Sequence, residues 1–201
     1  MSKVTWKGSV QMSPLPAVLV TSKSGDKENV FTVAWTGVCC SQPPKVYISI
    51  RPERYSYSLI EESREFVINL TTADMARAVD FCGVRSGRDM DKFEACDLEK
   101  EPAAEVAAPI LAASPLALEC KVFDIIKLGC HDMFLADVVA VRADEKYIDE
   151  KGKFDLSKAG LIAYTHGEYY EMGKKLGSFG YTVRKKPAAP KKKRSTKPAR
   201  K

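Results

Sequence analysis

Short runs of β-branched and apolar residues, each bounded by turn formers, dominate the first half of the chain. LPAVLVTS (15–22), NVFTVAW (29–35), KVYISIR (45–51) and EFVINL (65–70) carry this pattern and predict strands. SGDKEN (24–29) and SQPPK (41–45) separate them as turns. PLALECKVFDII (115–126) and HDMFLADVVAVRAD (131–144) predict further strands, and LIAYTHGEYY (161–170) one more. Helical periodicity is rarer. SYSLIEES (56–63) opens on hydroxyl residues, and Ser58 with Glu61 has capping-box spacing. DMARAVDFCG (74–83) places apolar residues at helical spacing and ends in glycine, and RDMDKFEACD (88–97) predicts one short helix. Many strands at close intervals with few helices between them predict a mainly β fold, a β-barrel with peripheral helices.

Length and charge refine this picture. The 201 residues suffice for one domain with a tail to spare. No run approaches the roughly 20 apolar residues of a membrane span. The polar start MSKVTWKGSVQMS precedes no apolar signal core, so a cytoplasmic location is expected. The net charge of +6 resides at the end of the chain: RKKPAAPKKKRSTKPARK (184–201) holds ten of the 32 basic residues and no acidic one. The remainder has 22 basic against 26 acidic residues. The expected organisation is a folded domain over 1–184 and a disordered Lys/Pro/Ala-rich tail over 185–201, too poor in apolar residues to offset its ordering entropy. Such a tail suits nucleic-acid or anionic-surface binding by phosphate attraction, without aromatics for stacking on bases. The six cysteines form no C-x-x-C pair and the two histidines lack zinc spacing to them, so reduced thiols and no metal site are expected.

Candidate chemistry gathers at two places. SIRPERYSYS (49–58) sets Arg51 and Arg54 and several hydroxyls where a strand gives way to a helix. A helix N-terminus offers unpaired N–H groups and a partial positive charge, and arginine can grip a phosphate bidentately. The same residues also suit ordinary helix capping beside two surface arginines. In CGVRSGRDMDKF (82–93), Gly83, Ser86 and Gly87 permit close backbone approach, while Arg85, Arg88 and Lys92 add charge. Neither a G-x-G-x-x-G after a strand nor a P-loop is present. No Ser-His-Asp set or paired-carboxylate signature stands out.

NVFTVAWTGVCCSQPPKVYISIRPERYSYSLIEESREFVINL (29–70), AVDFCGVRSGRDMDKFEA (78–95), LECKVFDIIKLGCHDMFLADVVAV (118–141) and GEYYEMGKKLGSFGYTV (167–183) occur in register. Together they resemble the flavin reductase-like family that binds FMN in a split β-barrel, particularly its flavoredoxin-type branch. The resemblance implies a homodimer with FMN near the subunit interface. It places Val33, Ala34, Trp35 and Thr36 beside the isoalloxazine ring. It places Ser49, Ile50, Arg51, Arg54, Tyr55 and Ser56 at the phosphate, and Cys82, Gly83, Ser86, Gly87 and Lys92 in a second ligand-contacting loop. His131 matches the family histidine on the nicotinamide or substrate side of the flavin and is the candidate catalytic residue. Cys130 departs from the aspartate usual before it. Tyr164, His166 and Tyr169 would line the same cavity. The activity implied is a flavoprotein oxidoreductase that takes a hydride from NADH or NADPH onto FMN and passes electrons to a second acceptor. A carrier exchanging electrons with redox proteins is the alternative within the same fold. Binding through the basic tail is the alternative from another class.

Overall fold

The computed structural model describes residues 1–184, and the expected basic tail, 185–201, lies outside them. The strands are β1 (Leu15–Pro16), β2 (Val18–Ser24), β3 (Lys27–Val33), β4 (Thr36–Ser41), β5 (Pro44–Ile50), β6 (Glu65–Leu70), β7 (Lys100–Glu101), β8 (Ile110–Leu111), β9 (Leu116–Lys127), β10 (Asp132–Ala143), β11 (Ile162–Thr165) and β12 (Glu168–Glu171). The helices are α1 (Tyr55–Ser63), α2 (Ala76–Val84) and the single turn α3 (Lys92–Ala95). The main sheet runs β3-β2-β6-β9-β10-β5-β4, and every pairing in it is antiparallel. The sheet curls so that its two end strands, β3 and β4, are joined by residues 34–35 alone, and Ser49 N–H to Trp35 O at 2.8 Å extends the β4–β5 ladder into that link. The expected mainly β barrel with peripheral helices is the fold found.

Alternation explains the core. Val18 and Val20 of β2, Ile48 and Ile50 of β5, Phe66 and Ile68 of β6 and Phe134 and Ala136 of β10 point inward and form the barrel interior. On the outer side of β2 and β3, Leu19 and Val30 pack with Met75, Val79, Cys82 and Phe93 of the helical layer. A third cluster, Val67, Ala108, Ile110 and Ala117, lies under the long connection before β9. Buried Glu119 anchors that connection by accepting Ala104 N–H at 3.0 Å and Glu105 N–H at 2.6 Å.

Several local expectations are corrected. The run 15–22 is two strands, because β1 leaves the main sheet to pair with β11 while β2 pairs with β3. Strand β4 has no β-branched run to announce it. It is an edge strand with a bulge between Val38 and Cys40, and most of its residues face outward. The run 161–170 is a hairpin, turned by His166 at φ 47° and Gly167 at φ 90°. Only Lys92–Ala95 of 88–97 is helical: Asp91 Oδ1 caps Phe93 N–H at 2.8 Å, and Asp97 at φ 50° ends the turn. The Ser58–Glu61 capping box does not form. Helix α1 already begins at Tyr55, so Ser58 lies within it and its Oγ reaches back to Tyr55 O at 3.3 Å.

The Glu119 anchor yields a stability prediction. Glu119→Ala would remove the acceptor that holds the N–H groups of 104–105 and leave a gap at a buried position, with an expected loss of about 2 kcal/mol. Urea unfolding checks this as a lowered midpoint at unchanged m-value.

Candidate functional site

Two adjoining cavities, of about 170 and 210 Å³, open on one side of the barrel and share Phe31, Arg51 and Arg54 in their walls. The first is lined mainly by Ala17, Val33, Ala34, Trp35, Ile50, Tyr164 and Tyr169. It is a slot between the β3–β4 link and the β11–β12 hairpin, apolar on its faces and edged by backbone polar groups. The second is lined by Asn29, Tyr55, Ser56, Cys82, Arg85, Ser86, Gly87, Arg88 and Lys92. Its character is cationic, and Glu53 is the one acidic residue in its lining.

The cationic corner is built by three elements. Strand β5 ends at Ile50, and Pro52 lies in the short turn into α1. Arg54 is the N-cap, with extended backbone and no side-chain cap, so the first turn of α1 keeps donors available. Arg54 Nη1 donates to Gly83 O at 3.0 Å, which ties this corner to the end of α2. Arg51 pairs with Glu53 at 2.8 Å on the surface. Arg88 donates to Glu53 O at 3.0 Å and lies over the Tyr55 ring.

Lys92 is the unusual member. It is 2% exposed, and its ammonium donates to Cys82 O at 3.2 Å and Arg85 O at 3.3 Å. No carboxylate pairs with it among the described residues. An ammonium has three donors, so one remains for a ligand. Burial, reinforced by the charge on Arg54, lowers its pKa to about 8. The position of Lys92 follows from the Asp91 cap, which starts α3 directly beneath α2.

Ser56 is fully buried and its Oγ accepts from Ser22 Oγ at 3.0 Å and Asn29 Nδ2 at 2.8 Å, which leaves its own proton for an anion. Gly87 closes the wall. A Cβ there would fall on the Asn29 amide and lie 2.8 Å from Tyr55 Cδ1, so only glycine lets the loop approach. Cys82 contributes its carbonyl. Burial pushes its thiol up to about 12, which makes it a packing residue and a poor nucleophile.

At the rim, His131 stacks on Trp35 with ring centroids 6.0 Å apart and planes at 12°. Nδ1 of His131 lies 3.2 Å from Cys130 Sγ. Desolvation, then the positive charges of Arg51 and Arg54, hold the imidazole below the usual histidine range, hence neutral at pH 7. Trp35 is 40% exposed, so its face is available at the mouth.

Most residues predicted for the site therefore converge. Val33, Ala34, Trp35, Ser49, Ile50, Arg51, Arg54 and Gly83 line the slot, and Tyr55, Ser56, Cys82, Ser86, Gly87 and Lys92 line the corner. Thr36 does not: it is buried in the β4–β5 pair and its Oγ1 donates to Tyr47 O at 2.6 Å. Tyr164 and Tyr169 reach the slot, whereas His166 sits in the hairpin turn. Asn29 and Phe31, absent from the expected set, belong to it. The alternation of β3 was the available signal, since Asn29, Phe31 and Val33 share one face.

The residues that line these cavities suit a flavin with a charged end. The apolar slot suits a planar ring system, and the corner answers a phosphate with a buried unpaired ammonium, a spare hydroxyl proton and a helix N-terminus.

The flavin reductase like domain model matches residues 11–173. The flavoredoxin of Desulfovibrio vulgaris (Miyazaki F) superposes with a TM-score of 0.84 at 30% identity, covering 91% of this chain and 100% of its own. An FMN-binding protein from Thermus thermophilus, solved with bound 1-cyclohex-2-enone, gives 0.74 at 26% identity, covering 89% and 97%. The NADPH-flavin oxidoreductase of Streptomyces viridifaciens is 26% identical over 135 residues, 66% of this chain and 69% of its own.

Lys92 would make anion binding at the corner pH-dependent. Its folded pKa of about 8 lies below the ordinary 10.5, so the buried ammonium destabilises the empty fold below pH 8 and is relieved as pH rises from 8 towards 10.5. Affinity for inorganic phosphate is expected to fall as pH rises through about 8. Calorimetry against pH should show that fall in the native chain and not in Lys92→Gln.

Proposed function

The chain belongs to the flavin reductase-like family of flavoproteins, and on that premise we propose that it is an FMN-dependent oxidoreductase that uses NADH or NADPH. FMN, when bound, supplies the redox chemistry by accepting a hydride from the nicotinamide and releasing electrons to a second acceptor. The observation that carries the reading is the juxtaposition of an apolar slot with a corner holding an unpaired buried ammonium.

The roles of the side chains follow from their chemistry. Lys92, Arg51, Arg54 and Ser56 bind the phosphate, and the donors of the first turn of α1 point at it. Backbone groups of Val33 to Trp35 hold the polar edge of the ring while Ala17, Tyr164 and Tyr169 shield it from water. Trp35 and neutral His131 form the open rim where a nicotinamide or electron acceptor approaches. His131 keeps a lone pair there and adds no positive charge of its own. Exposed Phe123, Val139 and Val141 on β9 and β10 support a homodimer, since apolar side chains on a sheet call for a partner surface. The 30% identity to a flavoredoxin supports the second reading, a carrier that keeps its flavin and exchanges electrons with redox proteins.

The purified protein is expected to be yellow, to release FMN on denaturation and to have about twice the 22.2 kDa chain mass by light scattering. Arg54→Ala should weaken FMN binding roughly tenfold or more, the cost of a charge-assisted contact, and leave riboflavin binding nearly unchanged. A colourless protein that gives no heat with FMN would overturn the proposal. Rapid NADPH oxidation distinguishes the reductase; tight FMN retention with slow NADPH oxidation distinguishes the carrier.

A further inference from the structure

One polar cluster, with Asp132 and Tyr57 buried and Lys127 exposed, has no part in the site described above. Asp132, 3% exposed, accepts the Tyr57 hydroxyl proton on Oδ2 at 2.6 Å. The same oxygen pairs with Lys127 Nζ at 2.8 Å, and Lys127 also donates to Tyr57 Oη at 2.6 Å. None of the three lines either cavity. Burying a carboxylate is costly unless it is paired, and an apolar contact would hold helix to sheet at lower cost. What the network adds is direction: three short bonds fix an orientation that apolar packing leaves loose.

Its place in the fold shows what is oriented. Asp132 is the first residue of β10, in register with Lys127 of β9 on one side and Ile50 of β5 on the other. The loop between Lys127 and Asp132 carries Cys130 and His131. It is closed by Leu128 N–H to His131 O at 3.1 Å, with Gly129 at φ 106°. Tyr57 stands in the first turn of α1, the turn whose donors face the corner, and its ring packs edge-on against Phe134 at 5.2 Å. The cluster thus joins the helix turn that faces the phosphate corner to the loop that carries His131.

Resting on the reading that this corner seats the FMN phosphate, we propose that Asp132, with Tyr57 and Lys127, is a positioning clamp that transmits occupancy of the corner to His131 and sets its imidazole against Trp35. An anion on the first turn of α1 fixes the helix, the Tyr57–Asp132 bond fixes the base of the loop, and the loop carries the ring into register with the slot. The charged groups around His131 are Arg51, Glu53 and Arg54 from the β5–α1 turn and Asp132 from β10. Lys127 stands on β9, with Glu61 of α1 3.8 Å from its ammonium, and the Cys130 thiol faces Nδ1. Arg51 and Arg54, which disfavour imidazolium, are the groups a phosphate neutralises, so FMN binding is expected to raise the His131 midpoint.

The test follows His131 by NMR titration in the full chain carrying His166→Gln, which removes the other histidine. FMN and riboflavin are the probes. Tyr57→Phe keeps the ring and the local charge while removing the hydroxyl, and Lys127→Gln is a second variant, at an exposed position, that keeps a donor for Asp132. Native protein should show an upward shift of the His131 midpoint with FMN and a smaller one with riboflavin. Both clamp variants should lose about half or more of the FMN-induced shift and broaden the His131 resonances without ligand, while FMN affinity changes by less than about threefold. NADPH oxidation should lose kcat and keep KM, and Glu62→Gln, at an exposed position of α1 outside the network, should behave as native. Variants with the native FMN-induced shift and native unliganded resonances would overturn the clamp while leaving the flavin assignment standing. Failure of the native chain to bind FMN would overturn the flavin assignment, and the unliganded spectra would still decide whether Tyr57 and Lys127 position His131.

Discussion

The arrangement of the cleft turns on a positive charge kept out of water without a negative partner among the described residues. Lys92 is held by two carbonyls beneath a rim that already carries Arg51, Arg54, Arg85 and Arg88. Burial, with the charge of Arg54 added to it, raises the energy of the empty fold, and the lowered pKa of Lys92 is the measure of that tension. Solvent cannot relieve it, because Asp91 starts α3 where the lysine has no outward path. A multiply charged anion does. The same strain that makes the corner costly without a ligand makes it selective with one, because a neutral molecule in the corner leaves the charges opposed.

Around this constraint the barrel supplies rigidity and the helices supply donors. The β5–α1 turn needs a strand whose end is fixed from both sides, and β5 has that in β4 and β10. Arg54 then bonds to Gly83 O, so the two loops that build the corner, far apart in sequence, are mutually braced. Gly87 permits the last approach, against Asn29 and Tyr55. Each of these contacts sacrifices freedom at a loop, where function usually tolerates mobility. Their concentration at one corner fits a site that must hold a phosphate in a single place.

How much of this the sequence disclosed follows from the range of the interactions. Strands with clean alternation, such as KVYISIR and EFVINL, were visible because their pattern is local. The anion corner was visible because Arg51, Arg54, Tyr55 and Ser56 lie within six positions of one another. Strand β4 was hidden because its residues are set by pairing with β5 and carry no pattern of their own. Ser58 read as a cap because spacing cannot tell the first turn of a helix from the second. Thr36 was assigned to the ring by its place after Trp35, but strand alternation turned its hydroxyl into the β4–β5 pair. The Tyr57–Asp132–Lys127 cluster was out of reach altogether: its members lie up to 75 positions apart, and each alone is an ordinary surface-type residue. The family resemblance supplied what spacing could not, namely which segments would meet.

The two halves of the cleft also explain how one chain can specify a single pose for a flat ligand. A planar ring can enter an apolar slot in more than one orientation, since dispersion contacts discriminate weakly between its faces and ends. Under the proposed function the anion cannot: its one seat would be where Lys92, Ser56 and the first turn of α1 converge. Anchoring one end would leave the ring the freedom of a short tether, which Trp35, Tyr164 and Tyr169, as walls of the slot, would restrict. Specificity is thus divided between a charge that fixes position and aromatic walls that fix the plane. Because Arg51 and Arg54 border both cavities and both lower the pKa of His131, the two halves of the cleft and the electrostatic state of the rim share the same side chains.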